Sequence, residues 1–105
     1  MSYYEELRAA GLDNDGIDCF EKAIENTKGV VGEHPALSTV PLVNLDGTKA
    51  GIAIEIRGSD GSEVIQDKHT GGYAPPPGGK LPNDEVMRRG DLAFRAFAPC
   101  QKFVP

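Results

Sequence analysis

Apolar residues near the start of the chain recur at the spacing of one helix face. Ile17, Phe20 and Ile24 are three and then four residues apart, and charged residues occupy most positions between them. The spacing predicts a helix over residues 16–28, with Asp15 as the N-cap that accepts from the first free amide groups. We expect the apolar face of this helix to pack on a sheet.

A shorter helix is predicted over residues 2–10. Ser2 is the residue type that caps a helix N-terminus. Gly11 can adopt the left-handed conformation that ends a helix, and Leu12 can supply the apolar contact of a Schellman turn. The two helices together predict a helical hairpin over residues 1–29.

The hydrophobic period changes to two in the middle of the chain. Ile52, Ile54 and Ile56 alternate with small or charged residues. Strict alternation is typical of a strand with one buried and one solvated face. We expect the three isoleucines to meet the apolar face of the second helix.

Two further strands flank this one and complete a predicted β-meander over residues 38–67. Residues 39–45 are rich in β-branched side chains but contain Pro41, which indicates an edge strand or an irregular one. Asp46-Gly47 is typical of a tight hairpin turn. A short third strand is predicted over 63–67.

Glycine and proline dominate residues 69–82. This segment holds four of the thirteen glycines and four of the eight prolines. We predict a long loop without regular structure, of the kind that is functional or disordered. The prolines at 75–77 form a stiff arm between glycine pairs at 71–72 and 78–79, which favours a hinged flap or a spacer over an adaptor ligand.

The C-terminal segment, 83–105, allows two interpretations. We predict a short helical turn followed by a terminal strand from Asp91 to Ala98, because apolar and other residues alternate there. A helix is the alternative, since Leu, Ala, Phe and Arg all tolerate one.

These elements predict an α+β fold in a single domain over residues 1–105. A helical hairpin packs on a small, mostly antiparallel sheet of three to four strands with a long Gly/Pro loop. The chain has no tryptophan, so its core depends on aliphatic residues and four phenylalanines. Oligomerisation would add buried surface to so small a core.

The charge balance limits the classes of partner. The net charge is −5, which argues against nucleic acid, since nucleic-acid affinity depends on neutralised phosphates. Residues 1–70 carry thirteen acids and six bases, whereas residues 71–105 carry three acids and five bases. Scatter in a small sample explains such a difference, but an anion site, if present, belongs in the C-terminal third.

The sequence predicts a cytoplasmic protein of a cell or host cell, without a membrane partner. The N-terminus lacks the cationic and apolar regions of a signal peptide, and no apolar run approaches ~20 residues. We therefore expect Cys19 and Cys100 to be reduced thiols, although one disulfide between them is possible after export. With His34 and His69 they give only a weak zinc signal, because no two ligands are close in sequence.

No motif indicates a cofactor or a metal. Residues 13–16 resemble part of a calcium loop, but Lys22 stands where that loop needs a glutamate. The Gly79-Lys80 pair lacks the earlier glycine and following Ser or Thr of a phosphate loop. His69 lies near Asp67 and could act as a base, but nothing marks a nucleophile beside it. An enzymatic function is not indicated by these residues.

The remaining constellation combines one aromatic ring, flexible backbone and cationic side chains. Arginine forks bind carboxylate or phosphate, and glycine-rich backbone can present amide groups to an anion. A solvated basic face paired with acids is the structural alternative. The predicted ligand-binding residues are Tyr73, Gly78, Gly79, Lys80, Arg88, Arg89 and Arg95.

These residues predict a non-enzymatic binding module that holds a partner protein or a small anionic ligand. Small acidic proteins without a recognisable motif include inhibitors, immunity proteins and phage accessory proteins. The alternative is a structural subunit of a homo-oligomer in which the Gly/Pro loop contacts a neighbouring protomer. A small enzyme using His69 and an arginine is a third possibility.

Overall fold

The structure is a computed structural model that describes residues 3–105, and its fold is α+β. Four strands form one antiparallel sheet in the order β1-β2-β3-β4. A 3-10 helix, Ala98–Phe103, follows the last α-helix. The elements are α1 (Tyr4–Ala9), α2 (Asn14–Asn26), α3 (Lys28–Val31), β1 (Ala36–Val43), β2 (Lys49–Arg57), β3 (Glu63–Asp67), β4 (Gly71–Ala74) and α4 (Asn83–Phe97).

The predicted end of the first helix is confirmed. Gly11 has φ +99°, and its N–H donates to the carbonyl of Arg8, while Leu12 donates to Leu7. These two bonds form a Schellman turn. The predicted Ser2 cap lies outside the described residues. Because α1 has only six residues, the helical hairpin with α2 stays a prediction.

The second helix begins two residues earlier than predicted. Its N-cap is Asp13, not Asp15, because the Asp13 carboxylate accepts a hydrogen bond from Gly16 N at 2.8 Å. The helix ends at Asn26 and is followed by the single turn α3 rather than by a stop at Gly29.

The sheet is a meander, and its first strand is an edge strand as predicted. Pro41 lies in β1 opposite Ile52 of β2. A proline at an edge removes one of the donors that another strand would use. The tight turn between β1 and β2 contains Gly47, whose φ is +85°.

The core lies between the helices and one face of the sheet. Ile54 and Ile56 are 1% and 0% exposed, which confirms their predicted burial, and Ile52 is partly buried against the same core. They share the core cluster with Phe20 of α2. Phe97 of α4 also belongs to it, with its ring centroid 5.8 Å from that of Phe20.

The prediction of irregular structure throughout 69–82 is wrong in part, because Gly71–Ala74 is strand β4. A Cβ atom on Gly71 would lie 2.5 Å from Oε1 of Gln66, so a larger residue at this position would require the Gln66 side chain to move. Residues 69–70 and 75–82 lack strand and helix. There the ring of Pro77 lies against the backbone of Gly61.

The predicted short turn and terminal strand after residue 82 are also wrong. Asn83–Phe97 is one α-helix of fifteen residues, so the alternative is correct. Ala93 and Phe97, one helical turn apart, are both buried. This pair supplies the apolar face that fixes the segment as a helix.

Cys19 and Cys100 form a disulfide, so the expectation of reduced thiols is wrong. The bond joins α2 to the 3-10 helix across a sequence separation of 81 residues. Among residues 3–105, no helix is long and apolar enough to cross a membrane.

Candidate functional site

A groove of about 290 Å³ lies between the β3–β4 end of the sheet and helix α4. Its walls combine apolar side chains, glycine backbone and one buried carboxamide. These features are typical of ligand sites, which pair apolar surface with a few polar groups. The lining residues are Val64, Gln66, Gly71, Gly72, Tyr73, Val86, Gly90, Ala93 and Phe94.

One wall of the groove is the outer edge of the sheet. No strand of residues 3–105 pairs with β4 on the side away from β3. Asp67 N donates to Thr70 O at 2.9 Å, and bonded and non-bonded pairs alternate along antiparallel strands. The N–H and C=O groups of Gly71 and Tyr73 therefore point outward and are free to pair with another backbone.

Gly90 of α4 forms part of the groove and has no side chain. The ring of Tyr73 packs against this point of α4: a Cβ atom on Gly90 would lie 3.8 Å from Cδ2 of Tyr73. That distance is ordinary van der Waals contact. The space open to a group from another molecule lies beside this contact, where Gly90 and Phe94 line the groove.

Gln66 supplies the polar group of the floor. It is only 3% exposed, and its Nε2 donates to Asp67 O at 2.8 Å and to Thr70 O at 2.9 Å. These bonds fix the carboxamide beneath Gly71. Its Oε1 atom is an acceptor on the groove side, and the hydrogen bonds of Gln66 among residues 3–105 use only the donor end.

Two large apolar side chains are exposed on α4, and one of them, Phe94, lines the groove. Met87 is 74% exposed and Phe94 is 62% exposed. They are seven residues apart on α4, which places them two turns apart on one face of the helix. Exposed apolar residues that cluster beside a groove are typical of interaction sites, whereas scattered ones are not.

The hydroxyl of Tyr73 is buried without a hydrogen-bond partner among the described residues. The Arg89 guanidinium lies near it, but the geometry falls short of a hydrogen bond. The hydrogen bond to Glu85 is the main cause that raises the pKa of Arg89, and the Tyr73 hydroxyl is a smaller cause. A buried hydroxyl without a hydrogen-bond partner is uncommon and destabilising. A ligand atom that hydrogen-bonds to the Tyr73 hydroxyl would therefore contribute favourably to the free energy of binding.

The predicted arginines lie on α4, but each is already in an ion pair. Glu85 binds Arg88 at 2.7 Å and Arg89 at 3.0 Å, and these hydrogen bonds lower the pKa of Glu85 to about 2. Arg95 binds Asp91 at 3.1 Å. An anionic ligand would therefore have to compete with carboxylates of the same helix.

The structure brings Tyr73 beside α4, but it does not bring the predicted binding residues Gly78, Gly79 and Lys80 to the groove. Gly78 and Gly79 have φ values of +101° and +64° and form an exposed turn. Lys80 is exposed after them and does not line the groove.

The histidine alternative has a structural explanation. The Asp67 carboxylate accepts from the backbone N–H groups of His69 and Thr70, each at 2.6 Å, and from the Thr70 hydroxyl at 2.9 Å. Asp67 thus caps the turn between β3 and β4 instead of orienting an imidazole. Within residues 3–105, no cluster of three or more His, Cys, Asp or Glu could hold a metal.

A larger hollow of about 550 Å³ lies beside α2 and α3, and charged side chains line most of it. Lys28 Nζ lies 3.0 Å from Glu25 and 3.3 Å from Glu33, and hydrogen bonds to these two carboxylates raise its pKa. Since Lys28 and its two carboxylates satisfy one another on an exposed surface, this cluster offers a ligand less than the smaller groove does.

Of the residues that line the groove, sequence reasoning identified only Tyr73 as a binding residue, and Gln66, Gly90 and Phe94 are among those it missed. Gly90 inside a helix would have been a signal, because glycine is unfavourable there unless space is needed, but the segment was not predicted as helix. Comparison with known proteins found no matching family, curated protein or solved structure.

Proposed function

We propose that this protein is a non-enzymatic binding module that holds a partner protein in the groove between β4 and α4. The observation that carries the proposal is the exposure of Met87 and Phe94 beside a free strand edge. Burial of these apolar side chains against a partner would stabilise the complex by about 25 cal/mol per Å² of apolar area removed from water.

A small anionic ligand has less support. Arg88, Arg89 and Arg95 all have carboxylate partners, and Lys80 does not line the groove. The groove walls are mostly apolar, which suits the side chains of a protein more than a compact anion. The arginines are better explained as a charged border to the apolar rim.

The structural-subunit alternative also has less support. In that alternative the Gly/Pro loop contacts a neighbouring protomer, yet Pro77 packs on Gly61 of its own chain. A loop held in this way offers less reach to a neighbour. Homo-oligomerisation is nevertheless a distinct outcome of the experiment below.

The disulfide indicates the cellular compartment in which the protein would meet its partner. Disulfides form and persist in oxidising compartments and are rare in the cytosol. The Cys19–Cys100 bond therefore favours an oxidising compartment over the cytoplasmic location that the sequence predicts.

A photo-crosslinking experiment tests the function. The residue p-benzoylphenylalanine is placed at position 87, at position 94, or at position 65 as a control, and each protein is irradiated in cells of its source. Ile65 is 38% exposed on the face of the sheet that bears Glu55, away from the groove. We expect a covalent adduct with one other protein from positions 87 and 94 only.

The other outcomes overturn the proposal. No adduct at 87 and 94, or an equal adduct at 65, would mean that the groove is not the binding site. An adduct between two copies of this chain would support the homo-oligomer instead.

A further inference from the structure

The unpaired N–H and C=O groups of β4 lie beside the space near Gly90. Together they favour an extended peptide segment as the bound molecule. Peptides that add to a sheet edge bind through main-chain hydrogen bonds, and pockets beside the edge select alternate side chains. Gly71 and Tyr73 offer the outward N–H and C=O groups for such pairing. The groove offers the pocket.

We infer that the groove binds an extended segment of the partner protein, which pairs with β4 as a fifth strand and places an apolar side chain over Gly90. This inference rests on the proposed function and adds the form of the partner. The apolar side chain lies between Tyr73 and Phe94, which line the two sides of the space.

The two edges of the sheet are not equivalent, and only β4 is open to such pairing. β1 contains Pro41, and its register with β2 shifts between Leu42 and Val43. Proline and a bulge are both devices that block an edge. β4 has neither, and Gly71 and Gly72 are exposed and present no side chains that obstruct an approaching strand.

A second copy of this chain is a poorer occupant than a different protein. If two β4 strands paired across a two-fold axis, each would face the other with Gly71 and Gly72, which have no side chain to fill the groove. Tyr73 of each copy is already packed on its own α4. The space over Gly90 would stay empty, and empty space costs packing energy.

The charges that border the groove do not favour an acidic or a basic segment. Helix α4 carries three acids and three bases, and each of its arginines is paired with a carboxylate of the same helix. The segment is therefore selected by its extended backbone and its apolar side chain rather than by its charge.

The test uses a phage-displayed library of random twelve-residue peptides, selected on the wild-type protein and counter-selected on Gly90→Val. Valine at position 90 projects methyl groups into the groove from a position whose Cβ is tolerated. Gly29→Val in α3 is the matched control, because its Cβ has nothing within 4 Å. We expect enriched peptides that share an apolar residue within a strand-forming sequence.

Two measurements on a synthetic copy of the enriched peptide then test the mode of binding. We expect at least a tenfold weaker affinity for Gly90→Val and an unchanged affinity for Gly29→Val. Strand addition should also slow amide hydrogen exchange at Gly71 and Tyr73, while Gly72, which faces β3, changes little. Replacing the shared apolar residue of the peptide by lysine should weaken binding.

Failure of this inference is distinct from failure of the proposed function. If no peptide is enriched, or if an enriched peptide leaves exchange at Gly71 and Tyr73 unchanged, strand addition is wrong. A crosslinked partner at positions 87 and 94 would then still support a binding module, which would hold its partner through a folded surface.

Discussion

The ring of Tyr73 packs against the backbone of Gly90, with 3.8 Å between its Cδ2 atom and the place of a Cβ on Gly90. This contact joins β4 to α4 inside the helix rather than at its end. Glycine costs about 1 kcal/mol relative to alanine in a helix interior. The contact distance leaves room for a methyl group, so packing does not require glycine here.

Gly90→Ala should therefore raise the free energy of unfolding by about 0.5 to 1 kcal/mol, because alanine restricts the unfolded chain and favours the helix. Urea unfolding followed by circular dichroism measures the change. Gly29→Ala is the matched control in an exposed helical turn without neighbours. A large loss of stability in Gly90→Ala alone would show that α4 and β4 pack more closely than described.

Gly61 and Pro77 form a second contact that holds the Gly/Pro loop. A Cβ atom on Gly61 would lie 2.6 Å from Cδ of Pro77, which belongs to a rigid ring. Gly61→Ala should destabilise the protein by about 1 kcal/mol for the positive φ and by about 1 to 3 kcal/mol more for the clash.

Gly47→Ala separates the cost of the positive φ from the cost of the clash with Pro77. Gly47 has φ +85°, close to the +90° of Gly61, but its Cβ would have nothing within 4 Å. We expect Gly61→Ala to lose more stability in urea unfolding. It should also be cut faster by trypsin after Lys80, since release of Pro77 frees the loop. Equal losses and equal cutting would mean that Pro77 does not hold the loop in solution.

The Cys19–Cys100 disulfide closes most of the chain into one loop. A cross-link over a loop of this length contributes about 4 kcal/mol by restricting the unfolded chain. Reduction by dithiothreitol should lower the urea midpoint, and Cys19→Ala with Cys100→Ala should lower it similarly. A midpoint that does not respond to reduction would mean that the bond is absent in solution.

The core could be predicted from the sequence because its periodicity is unambiguous. The apolar face of α2 and the alternating isoleucines of β2 each fit one period only. Ile54 and Ile56 are buried as expected, and Ile17 and Phe20 lie in the same core cluster. The Schellman turn at Gly11 was predictable for a similar reason, because it depends on local backbone chemistry.

Helix α4 could not be predicted with the same method. Between Leu92 and Phe97 the apolar positions fit both a strand period and a helical one. Gly90 before them is typical of a helix end. What fixes the helix is burial of Ala93 and Phe97 against other elements, which no local pattern contains. The Cys19–Cys100 pairing was named as possible, but reduced thiols were expected, because the redox state of a cysteine pair depends on a compartment that no local pattern contains.

The candidate site could be predicted in part, like the core, and in part could not, like helix α4. Tyr73 was identified by its aromatic side chain in an unusual segment, and the arginines by their charge. Their relationship depended on α4, so the sequence predicted a ligand held by arginines, whereas the structure pairs those arginines with carboxylates. Phe94 gave no signal, because an apolar residue at that position also fits a buried strand.

The two arginines bound by Glu85 give the molecule a specific acid sensitivity. Hydrogen bonds from Arg88 and Arg89 lower the pKa of Glu85 from 4.5 to about 2 in the folded protein. Between these pH values the unfolded chain binds a proton that the folded protein does not bind. The resulting stabilisation is fully present above about pH 4.5 and is lost as the pH falls toward 2.

Glu85→Gln removes this titration and should flatten the pH dependence of unfolding in that window. The free energy of unfolding in urea, measured from pH 7 to pH 2, should fall less steeply below pH 4.5 in Glu85→Gln than in the wild type. Asp91→Asn is the control, because Asp91 pairs with one exposed arginine on the same helix. Parallel curves for Glu85→Gln and the wild type would contradict the assignment, since they would mean that Glu85 titrates alike in both states.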